Sequence, residues 1–150
     1  MNQLPNDLLA GWPVLIVDDE EDSLEVASFI LGFYGAEVHI ARNGREGLAV
    51  ARQVRPEFIL SDLSMPDMDG WEMLRELSMT PATQHIPVIA LTAHAMRGDR
   101  ERAIGAGFHN YLTKPLTAKT FIHQLLLLLL DVPEFNTQLS PMLNADSSVQ

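Results

Sequence analysis

Five positions carry side chains that can do chemistry together: Asp18 and Asp19 in VLIVDDEED, Asp62 in FILSD, Thr92 in VIALT and Lys114 in YLTKP. Three close carboxylates cannot all stay ionised without a cation among them. Oxygen-only donors select a hard ion, and an incomplete cage of two or three carboxylates with waters suits Mg2+ (or Mn2+) better than Zn2+. Such an ion also takes phosphoryl oxygens. Lys114 offers a point charge to a further oxygen, and the Thr92 hydroxyl can donate a hydrogen bond. Carboxylates are nucleophiles in acyl-phosphate chemistry. The set reads as a place where one aspartate takes up a phosphoryl group while metal and lysine neutralise its oxygens.

These groups meet only if the elements bearing them lie side by side. Short apolar runs, rich in β-branched residues, predict strands over 14–17, 38–41, 58–60 (running into Ser61 and Asp62), 87–92 and 111–113. Between them, apolar spacing predicts helices over about 21–34, 44–53, 71–79 and 97–106, and a last one from a Thr117 cap to about residue 130. In the first helix, Leu24, Ala27, Leu31 and Tyr34 share a face, Glu21 and Asp22 suit the positive end of its dipole, and Gly35 stops it. Five strands alternating with five helices predict an α/β fold: an open, parallel, doubly wound sheet with helices on both faces. Ligands in such sheets bind beyond the carboxyl ends of the strands, which is where all five chemical groups stand.

Composition sets the outer bounds. The chain has 150 residues, 47% hydrophobic, enough for one domain with a real core. Its net charge of -10 argues against direct nucleic-acid binding. No cysteine is present, so neither disulfides nor a thiolate metal site can form. No basic region leads into a long apolar run at the N-terminus, and the longest apolar run, 125–130, is too short to span a bilayer. A cytoplasmic protein without membrane contact is the expectation.

VLIVDDEED, LSDLSMPDMDG, VIALTAHAM and YLTKP resemble the motifs of the response-regulator receiver domain of two-component signalling, over about residues 14–130. The resemblance implies a flavodoxin-like sheet in the order 2-1-3-4-5, an order the receiver fold shares. It leaves an N-terminal extension (1–12) before the receiver domain (13–131); the residues after it (132–150), rich in Ser, Asn, Pro and Gln, read as a flexible C-terminal tail. Residue by residue, it implies that Asp62 is the phosphoacceptor. Asp18 and Asp19 are the acidic pair, with Asp19 favoured as the direct Mg2+ ligand, and Ser64 gives its backbone carbonyl to the metal. Thr92 is the switch hydroxyl, Lys114 the phosphate-pairing lysine and Tyr111 the switch aromatic. A cis bond between Lys114 and Pro115 is also implied, which proline makes cheap. The implied partners are a sensor histidine kinase or histidine phosphotransfer protein as donor, and a downstream protein that reads the face of the fourth helix, fifth strand and fifth helix. LTAHAMRGDRERAIGAGFHNYLTKP is similar to receivers of hybrid kinases and of stand-alone regulators of cell-polarity type. Both a single-domain regulator and a hybrid-kinase fragment stay open, as does a homodimer.

Plainer roles compete at several positions. Glu20, Glu21 and Asp22 fit a solvated helix start, Asp67 and Asp69 fit turn formers, and Arg97, Arg100 and Arg102 fit a solvated helix face. Tyr111 fits a half-buried strand aromatic nearly as well as a switch. The five histidines show no metal spacing, but His94, two residues past Thr92, is a candidate for controlling water access. About half of the 125–130 run is expected on the sheet and the rest in an apolar surface patch. Two other classes of function remain: a small phosphotransferase or phosphatase with an aspartyl nucleophile, which turnover of phosphate esters would reveal, and a nucleotide or flavin binder. The latter needs a Gly-rich first loop, where this chain has DDEED.

Overall fold

A computed structural model describes residues 4–93 and 98–148, with side chains described as far as residue 143 in the last helix. The elements run β1 (Pro13–Val17), α1 (Glu21–Phe33), β2 (Glu37–Ala41), α2 (Gly44–Val54), β3 (Phe58–Asp62), α3 (Gly70–Ser78), β4 (Val88–Thr92), α4 (Asp99–Ala106), β5 (Asn110–Thr113), α5 (Phe121–Leu130) and α6 (Pro133–Ser148). All strand pairs are parallel and the sheet order is β2-β1-β3-β4-β5, as expected.

Successive strand residues alternate between two cores, as the pleat requires. Val14, Ile16, Phe58, Leu60, Ile89 and Leu91 pack with α1, α5 and α6, whereas Leu15, Val17, Ile59, Val88 and Ala90 pack with α2, α3 and α4. β3 and β4 are buried at every position, which is why they read as unbroken apolar runs. Local signals set the helix starts. Asn43 caps α2 through Glu46 N–H, and Asp69 forms a reciprocal capping box with Glu72 at α3. Asp67 sits at φ 70° and pairs with Arg45 at 3.1 Å, a turn role as expected; Asp69 is a helix cap.

Among the described residues there are six helices, not five. The segment expected as a flexible tail is α6, and Phe135 and Leu139 lie in the core. Pro133 stands at its first position, where the missing N–H costs nothing. Phe135 stacks on Trp12, with ring centroids 4.9 Å apart, and meets Phe58 at 6.3 Å. This cluster, together with buried Leu8 and Leu9 of the N-terminal extension, closes the pole of the sheet opposite the strand ends that carry Asp18 and Asp62. Burying one phenylalanine is worth about 2–3 kcal/mol, and Leu139 adds to it.

The start of α5 also differs from expectation. Thr117 is no cap: its carbonyl accepts from the N–H groups of Thr120 and Phe121, and the helix begins at Phe121. Leu125, Leu126 and Leu129 are buried, Leu128 and Leu130 are partly buried against the same core, and Leu127 is 67% exposed; the half expected in a surface patch is reduced to Leu127. No helix among the described residues is long and apolar enough to cross a membrane.

Candidate functional site

Register brings the chemistry together. Val17 pairs with Ser61, Asp62 with Leu91, and Thr92 with Thr113. The residues at or just beyond the ends of β1, β3, β4 and β5 therefore share one rim. Asp18 N–H donates to Ala41 O at 3.0 Å, and Lys114 N–H donates to Thr92 O at 2.7 Å, which carries the ladder past the strand ends and fixes both backbones. The Lys114–Pro115 bond is cis, as the resemblance implied. Gly70, at the start of α3, lies so close to β3 that a Cβ there would stand 2.3 Å from the Asp62 carbonyl oxygen. Only glycine lets the loop after Asp62 fold back this tightly.

Lys114 is the hub. Its ammonium lies 2.9 Å from Asp18 Oδ2, 3.3 Å from Asp62 Oδ2 and 2.5 Å from Glu20 Oε1. Its hydrogen bonds go to Asp18 Oδ1 at 3.1 Å and to Glu20. Asp18 Oδ2, although near the ammonium, is buried and accepts no hydrogen bond from the described residues. Asp62 is held on its other side, where Oδ1 accepts from Ser64 N–H at 3.4 Å.

Burial, and next the neighbouring Asp18 charge, push the Asp62 carboxyl up to about 6 against the pull of Lys114 and the Ser64 N–H. Burial would lower the Lys114 ammonium, but hydrogen bonds to Glu20 and Asp18 and the charges of Asp18 and Asp62 outweigh it and raise it. The hydrogen bond from Lys114 holds the Glu20 carboxyl below its usual range.

Carboxylate oxygens of Asp18, Glu20 and Asp62 all lie within 4.8 Å of one another, close enough to hold a metal ion. One ammonium against three carboxylates leaves excess negative charge, and the unbonded Asp18 oxygen supplies a free lone pair. An all-oxygen donor set of this kind fits a hard divalent cation.

The sequence-predicted residues fare unequally. Asp18 is fully buried, Asp62 and Thr92 are each 7% exposed, and all three stand at the rim. Asp19 is exposed and lies outside the carboxylate cluster, and Ser64 is exposed, with its N–H toward Asp62. Tyr111 is half-buried against the α2–α4 core. His94 and Arg97 lie outside the described residues.

The sequence places Glu20 at a solvated helix start, yet it is part of the cluster; its partner Lys114 follows β5, so nothing local announces it. Arg100 and Arg102 are not simply solvated either. Arg100 Nε donates to Asn110 Oδ1 at 3.2 Å, and the Arg102 guanidinium sits 4.6 Å over the Trp71 ring.

Comparison with known proteins agrees with this geometry. Residues 14–126 match the family described as the response regulator receiver domain. The polar-differentiation response regulator DivK of Brucella anthropi is 39% identical over 109 residues, which is 73% of this chain and 89% of DivK. The chemotaxis response regulator CheY4 of Vibrio cholerae superposes with a TM-score of 0.74 at 31% identity, covering 80% of this chain and 100% of CheY4. The receiver domain of the Pseudomonas aeruginosa sensor histidine kinase PA1611, solved with magnesium coordinated in its active-site cleft, gives a TM-score of 0.69 at 33% identity, covering 77% of this chain and 95% of that domain.

Proposed function

The chain belongs to the response regulator receiver domain family of two-component signalling, and from that membership we propose that it is a switch operated by phosphorylation of Asp62. The observation that carries this is the Lys114 ammonium set between Asp18 and Asp62, at 2.9 and 3.3 Å, at the carboxyl ends of a parallel sheet.

The donor is a phosphohistidine on a sensor histidine kinase or histidine phosphotransfer protein. An Asp62 carboxylate oxygen attacks phosphorus, the new O–P bond forms as the P–N bond breaks, and the imidazole leaves and takes a proton from water. Lys114 pairs with one phosphoryl oxygen and Thr92 donates its hydroxyl to another. Asp18 and Asp62, with Asp19 and the Ser64 carbonyl, would hold Mg2+ or Mn2+. A bound ion of this kind supplies positive charge for the phosphoryl oxygens during transfer. Burial and the Asp18 charge raise the Asp62 carboxyl, so its ionised form would gain from the positive charge of such an ion.

The product carries up to two more negative charges. Thr92 and Lys114 move toward them, Tyr111 follows inward, and the α4-β5-α5 face changes for a downstream protein to read. A cytoplasmic location goes with a soluble phosphodonor. Likeness to the PA1611 receiver favours a second arrangement of the same chemistry, in which the domain serves within a hybrid kinase.

Transfer from a phosphohistidine donor tests the proposal. The label should require a divalent cation and be released by hydroxylamine, which cleaves acyl phosphates. A label formed in excess chelator, or one stable to hydroxylamine, contradicts it.

A further inference from the structure

The acid nearest the Lys114 ammonium is neither Asp62 nor buried Asp18 but Glu20, at 2.5 Å. The two partners differ in setting: the Lys114 side chain is 7% exposed and that of Glu20 is 60% exposed. The backbone fixes where Glu20 stands. Its N–H donates to Asp18 Oδ1 at 2.9 Å, and its carbonyl accepts from Leu24 N–H at 3.2 Å as α1 begins. The carboxylate therefore projects from the strand-to-helix junction over the mouth of the cleft.

An ammonium has three donors; two are held by Asp18 and Glu20, and Asp62 itself lies 3.3 Å away. Drawing Lys114 fully onto a phosphoryl group on Asp62 therefore loosens its hold on Asp18 or on Glu20. Asp18 is fully buried, so separating it from Lys114 would strand a charge away from water, at high cost. Glu20 is open to solvent, and water replaces the lysine for it at little cost. Glu20 is the partner that gives way.

We propose that Glu20 is a positioning residue that parks Lys114 at the cleft mouth in the resting protein and competes with the incoming phosphoryl oxygens for it. The proposal rests on Asp62 being the phosphoacceptor. Glu20 thereby sets how readily Lys114 transfers, and so the balance between the resting and phosphorylated states.

Two single-charge variants separate contact from charge. Glu20→Gln removes the charged partner of Lys114. Asp22→Asn removes the same charge from the same helix start, where Asp22 is exposed and outside the cluster. Each is treated with a small acyl phosphate and Mg2+, and the phosphorylated fraction is read by intact mass. Glu20→Gln should raise the ratio of phosphorylated to unphosphorylated protein about threefold to fivefold, the scale of one exposed ion pair. Asp22→Asn should change it less than about twofold, the smaller effect of an unpaired surface charge.

In resting, metal-free protein, the Lys114 side-chain 15N resonance should shift in Glu20→Gln and stay in place in Asp22→Asn. Equal effects of the two variants, or no effect of Glu20→Gln on a normally labelled Asp62, overturns the role of Glu20 and leaves Asp62 standing. Absence of label in the unaltered protein overturns both.

Discussion

Lys114 Nζ lies 3.3 Å from Asp62 Oδ2, across the rim between the ends of β5 and β3. The lysine stabilises an ionised Asp62, yet burial and the Asp18 charge still push that carboxyl up to about 6 from 3.8. Among the described residues the cluster carries more negative than positive charge, an excess that a bound metal ion would offset.

That raised carboxyl has a consequence for stability. In metal-free buffer between about pH 4 and 6, folded Asp62 holds its proton while the unfolded chain has lost it. The folded state then binds more protons, so the Asp62 contribution to stability falls as pH rises through this window. Asp62→Asn should remove that slope and stabilise the resting protein at pH 7 by about 1 kcal/mol, after discounting for the open side of the cleft, or roughly 2–4 °C in Tm. Thermal unfolding of both proteins at pH 4.5 and pH 7 measures it; an unchanged or lowered Tm for Asp62→Asn at pH 7 would speak against a strained carboxylate.

The packing of α6 makes a second prediction. Phe135 is 4% exposed and touches Trp12 and Phe58. Phe135→Ala should cost about 3–4 kcal/mol in urea unfolding. A loss below about 0.5 kcal/mol, ordinary for a surface position, would mean that the segment does not dock.

A third concerns α4. Only Ala103 of this helix is buried, so apolar packing holds it weakly. Arg100 ties it to β5 through Asn110, whose Oδ1 also accepts from Tyr111 N–H at 2.9 Å. Arg100→Ala should speed amide hydrogen exchange across residues 102–106 about fivefold, the effect of losing roughly 1 kcal/mol of local stability. Exchange at the native rate would show that the tether carries no weight.

How much of this the sequence disclosed follows from the range of the interactions. Strands such as Phe58–Asp62 were legible because burial on both faces demands unbroken apolar runs. Asp18, Asp62, Thr92 and Lys114 were legible because each closes such a run, and the parallel sheet aligns the ends. Glu20 was not, because its partner Lys114 is 94 residues away, just past β5, and the local context DDEED looks like a solvated helix start. Arg100 and Arg102 were misread for the same reason: Asn110 and Trp71 reach them through tertiary structure. In α6, Phe135, Leu139, Met142 and Leu143 do follow helical spacing, but Ser, Asn and Gln between them, and Pro141 within the helix, gave the segment the composition of a tail.

The most direct test of the central claim is to locate the phosphoryl group. The protein is labelled with a small acyl phosphate in Mg2+, reduced with borohydride to convert the acyl phosphate to a stable alcohol, digested and mapped by mass spectrometry. The geometry predicts a single modified residue, Asp62, and no modification in Asp62→Asn. Modification at another residue of the unaltered protein, or persistent labelling of Asp62→Asn, would contradict the account.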